Sequence, residues 1–453
     1  MKTKTPICDF AEKYSAQKYA RFHMPGHKGN GFLGCETVDI TEINGADSLY
    51  EANGIIAQSE RIAAELYGTG ATFYSAEGSS LCIRAMLYLV KLQAENNGRK
   101  PFILATRNAH KVFALTVALL DIDVMWLNGY DRATLCDCRV KPEDLDETLA
   151  KLERLPDAVF ITSPDYLGNI ANIQDLSATA HKRGCLFVCD NAHGAYLKFV
   201  SGNLHPIDNG CDMCCDSAHK TLPCLTGGAY LHINKKAPIF LKENARDALA
   251  MFGSTSPSYL ILQSLDKANG LLFDGYGTKI KQTAERVNTL KSEIENAGWT
   301  LLKTNEPLKI TFDCKENGYD GRDFAKLLIK NGIMPEYEET DYVVLMISPE
   351  NSNHDFTVLL DTLKNLPLKQ KKKKETFSFI PKTAMPMKQA LETTSEYVDI
   401  NESLGRIVAC PTVSCPPAVP IVYGGELIDR RAVTLFEYYG ITKVKVIKQI
   451  KDC

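Results

Sequence analysis

Apolar positions along the first half of the chain switch repeatedly between two periods. From Ile55 to about Leu241, stretches with apolar residues three and four apart alternate with short β-branched or aromatic runs. The helical period predicts helices over Ile55 to Tyr67 and over Ser79 to Val90, the second beginning just after Gly78. The short runs predict strands over Thr72 to Ser75, Phe102 to Ala105, Val124 to Leu127, Ala158 to Thr162, Cys185 to Cys189 and Gly228 to Ile233. This alternation is the sequence form of an α/β domain built on a mostly parallel sheet. Beyond it the pattern predicts helices over Ser258 to Ala268, Lys279 to Ala297 and Asp323 to Lys330, with strands over Leu308 to Phe312 and Tyr342 to Ile347, a smaller α+β domain. The expected organisation is an N-terminal segment and large domain over 1–268, a small domain over 269–367, a linker over 368–376 and a C-terminal α+β domain over 377–453.

Composition narrows the function classes. A net charge of -3, with 24% charged residues, offers no broad basic field for nucleic acid. The run Lys371 to Lys374 is short and lacks interleaved aromatics, so it reads as solvated linker. No apolar stretch approaches the roughly 20 residues of a membrane helix. Met1 to Phe10 shows no apolar core of a secretory signal, so a cytoplasmic address is expected, and the 15 cysteines read as reduced thiols. Cys211, Cys214 and Cys215 have no second ligand pair at zinc spacing, so they are expected to be strand residues and no metal is expected.

Four segments carry chemistry. Val188 to Gly194 is an apolar strand ending on Asp190, followed by Ala192 and His193, and ligands of α/β sheets lie at such carboxyl ends. A strand-end Asp can ion-pair with a cofactor ring nitrogen, although a helix N-cap or turn aspartate is the more ordinary reading of this motif taken alone. Asp216-Ser217-Ala218-His219-Lys220 offers an amine able to form a Schiff base, beside hydroxyl and imidazole groups suited to a phosphate. Asp190 precedes Lys220 in the order and at the spacing such a centre demands. Ser75 to Ser80 places Gly78, Ser79 and Ser80 at a helix start, where backbone N–H groups bind a phosphate dianion or where a hydroxyl simply caps the helix. These glycines match neither the dinucleotide nor the P-loop pattern. His110 follows a predicted strand, placed either to stack on a pyridine ring or to serve the fold.

Together these motifs resemble the Orn/Lys/Arg decarboxylase family, the bacterial branch with the aspartate-aminotransferase fold, in its compact members without an N-terminal wing domain. Phe22 to Gly29, Asp39 to Glu42, Gly45 to Asp47, Ser217 to Lys220, Thr255 to Ser258, Pro416 to Pro420 and Gly424 to Glu426 carry the resemblance, which runs through nearly the whole chain. It implies the α/β architecture of pyridoxal-phosphate fold type I and decarboxylation of lysine, ornithine or arginine, a reaction of polyamine biosynthesis. It further implies that Lys220 holds pyridoxal 5'-phosphate, that Asp190 pairs with the pyridinium nitrogen and that His110 stacks on the ring. Gly78, Ser79, Ser80, Ser217 and His219 would hold the phosphate, with Ala192 and His193 beside the ring, and Lys220 or His219 would return the proton to Cα. Thr255 and Ser256 would reach a neighbouring subunit's site, which makes a homodimer the smallest active unit. Asp47, Glu42, Glu51 and Glu426 are the candidates for meeting the substrate's distal cation.

The sequence departs from the family pattern at Glu77, where an asparagine is usual and an anion would weaken or redirect phosphate binding, and at Cys224 and Gly228. An aminotransferase would use the same Asp and Lys but clamps its substrate carboxylate with an arginine, and the strand Val343 to Ser348 has none. A related lyase step or a catalytically silent cofactor-binding homologue are the other readings of the same residues.

Overall fold

The computed structural model describes residues 4–127, 135, 139–374, 380–415 and 419–449. The strands of the large α/β region are β1 (Ala71–Ser75), β2 (Phe102–Thr106), β3 (Asp123–Leu127), β4 (Ala158–Thr162), β5 (Leu186–Asp190), β6 (Met213–Asp216) and β7 (Ala229–Ile233). Those that follow are β8 (Lys309–Asp313), β9 (Tyr337–Glu338), β10 (Tyr342–Met346), β11 (Ser395–Asp399), β12 (Thr412–Cys415), β13 (Val419–Tyr423) and β14 (Lys443–Ile447). The chain forms two compact units, one of residues 1–93 with 186–282 and the other of residues 94–185 with 283–453.

In the first unit β5 pairs parallel with β6, and β7 lies antiparallel to both β6 and β1. Every residue of β5, β6 and β7 is buried, which explains their continuous apolar runs. The helix Ile55–Tyr67 ends where sequence periodicity places it, because Gly68 adopts a left-handed φ of 68° that stops the helix. The helix Gly78–Asn96 follows β1, and Gly78 turns the chain between them with a φ of 71°. Cys211, Cys214 and Cys215 are buried in and just before β6, and burial pushes all three thiols well above their ordinary range.

In the second unit β2 lies between β3 and β4, parallel to both. β10 pairs antiparallel with β8 and β9, while β11 with β14 and β12 with β13 form two antiparallel ribbons. A common apolar cluster that includes Tyr337, Val344, Val408, Val422, Phe436 and Val446 joins these small sheets. The lysine run packs on this unit: Lys371 pairs with Glu316 at 2.7 Å, and Lys374 sits over Tyr342 and binds Asp313. Lys371, Lys372 and Lys373 are exposed and Lys374 is half-buried. Pro416, Pro417 and Ala418 lie outside the described residues.

The N-terminal helix Pro6–Ala16 is tied to the first unit by Asp266, whose Oδ2 accepts the Ile7 and Cys8 N–H groups at 2.9 Å each. Burial raises the Asp266 carboxyl to about 6, against opposing donors that include Ser59. Between the ordinary carboxylate range and that value the folded state binds a proton that the unfolded state lacks. The protonated Asp266 therefore adds stability that is full below about pH 4 and is lost as pH rises through about 6. Urea unfolding of the wild type beside Asp266→Asn across this window should show that part of the pH slope missing in the variant. An identical slope in both would contradict this assignment.

Candidate active site

The parallel pairing of β5 with β6 sets Asp190 opposite Cys215 at the carboxyl ends of both strands. The chain turns immediately after each strand, and the two turns carry the chemistry. After β5, the Gly194 N–H donates to the Asn191 carbonyl at 2.8 Å, closing a turn that presents Ala192 and His193. After β6, Ser217 leads into the short helix Ala218–Thr221, where the Lys220 N–H donates to the Ser217 carbonyl at 3.0 Å. The two turns meet at their side chains: Lys220 Nζ lies 3.0 Å from His193 Nε2. An ammonium has donors only, so with Lys220 charged the imidazole nitrogen accepts.

Asp190 is buried, and its Oδ1 accepts the Ala192 N–H at 3.2 Å and the Cys215 thiol at 3.5 Å. The Gly78–Asn96 helix begins beside the β6 turn, and Ser217 Oγ donates to Ser79 Oγ at 2.7 Å. The Gly78 N–H is committed to the Gly227 carbonyl at 2.7 Å, so its contribution to a phosphate site is the lack of a side chain. A Cβ at Gly78 would meet nothing within 4 Å, which leaves open space before the helix N-terminus with Ser79 and Ser80 half-buried beside it. His219 Nδ1 donates to the Gly228 carbonyl at 3.0 Å, so Nε2 carries a proton for a phosphate only when the ring is charged.

A buried carboxylate, a half-buried amine and a hydroxyl pair at a helix start, with open space at Gly78, fit a group that carries an aldehyde, a basic ring nitrogen and a phosphate. Lys220, Asp190, Ala192, His193, Ser217, His219, Gly78, Ser79 and Ser80 all belong to the first unit. His110 belongs to the second, where it caps the helix Lys111–Leu119 and its Nδ1 accepts the Val112 N–H at 3.3 Å. Thr255 and Ser256 are exposed, in a loop anchored by the Ser254 N–H donating to Glu77 Oε1 at 2.6 Å. The Glu77 charge is thus directed onto this loop. The other two departures, Cys224 and Gly228, lie against each other: a Cβ at 228 would lie 3.0 Å from the Cys224 sulfur.

Two of the acidic candidates for a distal cation are already engaged. Asp47 accepts the N–H groups of Ser48 and Asn53 on one oxygen and of Gly54 and Ile56 on the other. Burial opposes its ionisation, but these donors outweigh burial and hold the carboxyl below its ordinary range. Glu426 is buried with Arg107 in a two-pronged pair of 2.6 and 3.0 Å. The guanidinium lies beside a stacked aromatic pair, with the Arg107 carbon 5.3 Å from the Trp126 ring centre and 5.1 Å from that of Tyr423, and the two ring centres 3.9 Å apart. Tyr423 donates its hydroxyl to the carbonyls of Arg107 at 2.8 Å and Ala109 at 3.2 Å, which fixes the segment leading to His110. Sequence periodicity carries no signal for this pairing, because its partners stand 319 positions apart.

Comparison with known proteins finds the family model for the Orn/Lys/Arg decarboxylase major domain matching residues 5–313, and that for the C-terminal domain matching residues 370–446. The chain is 29% identical over 459 residues to the uncharacterised Bacillus subtilis (strain 168) protein YaaO, covering 95% of this chain and 93% of that one. It is 26% identical over 467 residues to an arginine decarboxylase of the same organism, covering 95% and 92%. Among solved structures, the constitutive lysine decarboxylase of Escherichia coli superposes with a TM-score of 0.77 at 19% identity, over 98% of this chain and 82% of that one. At that identity the likeness is one of fold.

The Arg107–Glu426 pair generates a direct test. Removing one partner of a buried pair leaves the other charge uncompensated, a loss of about 3–5 kcal/mol. Glu426→Ala should lower the urea midpoint accordingly, whereas Glu42→Ala, whose exposed carboxylate accepts from Ser48 Oγ at 2.8 Å, should lower it little. Equal effects in the two variants would contradict the assignment.

Proposed function

The chain belongs to the Orn/Lys/Arg decarboxylase family, and from that premise we propose that it removes the α-carboxylate of lysine, ornithine or arginine through the side chains gathered around Lys220. Members of this family are pyridoxal-phosphate-dependent amino-acid decarboxylases, and the fold is the α/β architecture of pyridoxal-phosphate fold type I. When bound, pyridoxal 5'-phosphate supplies an aldehyde that combines with amines and a ring that accepts the electron pair left by departing CO2.

Each remaining role falls to this chain's own groups. Lys220 anchors the cofactor and exchanges it for the substrate amine. His193, at 3.0 Å from Nζ, takes the proton that the lysine must lose before it acts as a nucleophile. Asp190, buried at the end of β5, keeps a ring nitrogen protonated. Ser79, Ser80 and Ser217 hold the phosphate, Gly78 leaves room for it, and charged His219 adds a donor. For His110, which belongs to the other unit, the ring-stacking role is carried over from the family resemblance alone; the Tyr423 hydroxyl binds the Arg107 and Ala109 carbonyls just before it. Lys220, released from the cofactor, or His219 then delivers a proton to Cα.

The observation that carries this reading is the Lys220–His193 contact beside a buried carboxylate. The strand β10 supports decarboxylation over transamination, because Tyr342 to Met346 contains no arginine to clamp the carboxylate. Glu42 and Glu51 remain as exposed carboxylates for the distal cation. We read the loop with Thr255 and Ser256 as serving a neighbouring copy's site, which gives a homodimer. Among the described residues no helix is long and apolar enough to cross a membrane, in keeping with a cytoplasmic enzyme that makes amines for polyamine synthesis. We keep the division into a small domain over 269–367, a linker over 368–376 and a C-terminal domain over 377–453, of which the separate C-terminal family match over 370–446 supports the last; the major-domain match runs on to 313, past the first boundary.

Purified protein supplied with pyridoxal phosphate should show a visible absorption band and release CO2 from one of the three amino acids, and Lys220→Ala should lose both. His193→Ala should keep the band while its CO2 release falls by about 10²-fold or more. A visible band without CO2 from any of the three would move the activity to another reaction of the same fold.

A further inference from the structure

Directly behind the two catalytic turns lies a polar cluster to which the reaction assigns no role. Asp216, the last residue of β6, is fully buried and accepts three hydrogen bonds. His205 Nε2 and His232 Nε2 reach its Oδ2 at 3.0 and 3.2 Å, and Asn191 Nδ2 reaches its Oδ1 at 2.7 Å. His205 and His232 are buried as completely as Asp216. His205 Nδ1 accepts the Ile207 N–H at 3.4 Å, so the ring proton sits on Nε2 and points at Asp216. His232 is braced from its other side, its Nδ1 lying 2.8 Å from Thr72 Oγ1, which in turn meets Thr69 Oγ1 at 2.8 Å.

The three side chains have the spacing of a metal site, with ligand atoms within 4.8 Å of one another. The hydrogen bonds decide against a metal. A metal takes the lone pair of Nε2 and therefore needs the proton on Nδ1, where the Ile207 N–H already points. The cluster is instead a buried anion held by three N–H donors. Burial opposes the ionisation of Asp216, but the His205 and His232 donors outweigh it and hold the carboxyl below its ordinary range.

Asn191 is the link to the reaction centre. It follows Asp190, its N–H donates to the Cys215 carbonyl at 3.0 Å, and its own carbonyl closes the turn that presents His193. Gly194 makes the side chain's path possible, since a Cβ there would lie 2.0 Å from Asn191 Oδ1. Asp216 stands immediately before Ser217 in the other turn. We propose that Asp216 is a positioning residue: its carboxylate, oriented by His205 and His232, clamps Asn191 and so locks the turn carrying Asp190 and His193 to the turn carrying Ser217 and Lys220. The inference rests on the reading of Lys220 as the cofactor's anchor. Its consequence is that the Lys220–His193 distance, and with it the acidity of the lysine-bound cofactor, depends on a hydrogen bond that touches neither substrate nor cofactor.

The polarity of the clamp can be reversed, which supplies the test. In Asp216→Asn the amide oxygen satisfies the two imidazoles and its NH2 then faces the NH2 of Asn191. In Asn191→Asp two carboxylates face each other. In the double variant the amide at 216 accepts from both imidazoles and donates to the carboxylate at 191, so every donor again meets an acceptor. Three quantities are measured on the full-length protein: affinity for pyridoxal phosphate, the pH midpoint of the visible band without substrate, and the thermal midpoint without cofactor. Each single variant should bind the cofactor about tenfold or more weakly and shift the pH midpoint by about half a unit, while the double variant returns to within about threefold of the wild type. If a single variant is insoluble, recovery of soluble, cofactor-binding protein in the double variant is the same result. Asn191→Ala, which removes the clamp without a clash, should shift the pH midpoint in the same way. An unchanged pH midpoint in Asn191→Ala, with only the thermal midpoint lowered, would overturn the proposal, as would a double variant no better than the worse single one. A wild type without any visible band would instead overturn the reading of Lys220 itself.

Discussion

The pairing of β5 with β6 is the constraint on which the site depends. Because Asp190 stands opposite Cys215, the residues that follow the two strands emerge side by side, and Lys220 Nζ comes within 3.0 Å of His193 Nε2. A slip of one residue would turn each side chain to the other face of the sheet, taking Asp190 away from the turn it serves. Burial of both strands makes such a slip costly, since their apolar runs and the Asp216 cluster are satisfied in one register only.

The second unit applies the same logic with a different pair. Arg107 follows β2, and Glu426 follows β13 in the C-terminal portion of the chain. Their buried two-pronged contact, flanked by the stacked rings of Trp126 and Tyr423, gives the C-terminal module a function that its own small ribbons do not suggest. Through the Tyr423 hydroxyl it holds the carbonyls just before His110. A buried ion pair adds little net stability over apolar packing, but its loss on one side is severe, so such a pair enforces a single arrangement.

Elements whose formation is local were legible in the sequence. The helix Ile55–Tyr67 and the strand Ala158–Thr162 have the bounds that periodicity alone predicts, and β5 differs from expectation by one residue at each end. The motif residues Asp190, His193, Ser217 and Lys220 were legible too, because each lies at a strand end or in the turn after it. β6 was legible only as a place for strand cysteines and not by its bounds, since its sequence Met-Cys-Cys-Asp has only four residues and no β-branched signal. The Asp216 cluster was illegible for another reason: His205 and His232 stand in an ordinary turn and an ordinary strand, and only the sheet brings them to one carboxylate. Asp47 and Glu426 looked like candidate substrate ligands because a sequence gives a carboxylate's position but not the donors that occupy it.

Lys220 is the residue proposed to bond the cofactor, and borohydride trapping tests this most directly. Wild-type protein mixed with pyridoxal phosphate is reduced, digested and mapped by mass spectrometry. A single phosphopyridoxyl group is expected, on the peptide containing Lys220. A group carried by another lysine, or none after reduction, would contradict it.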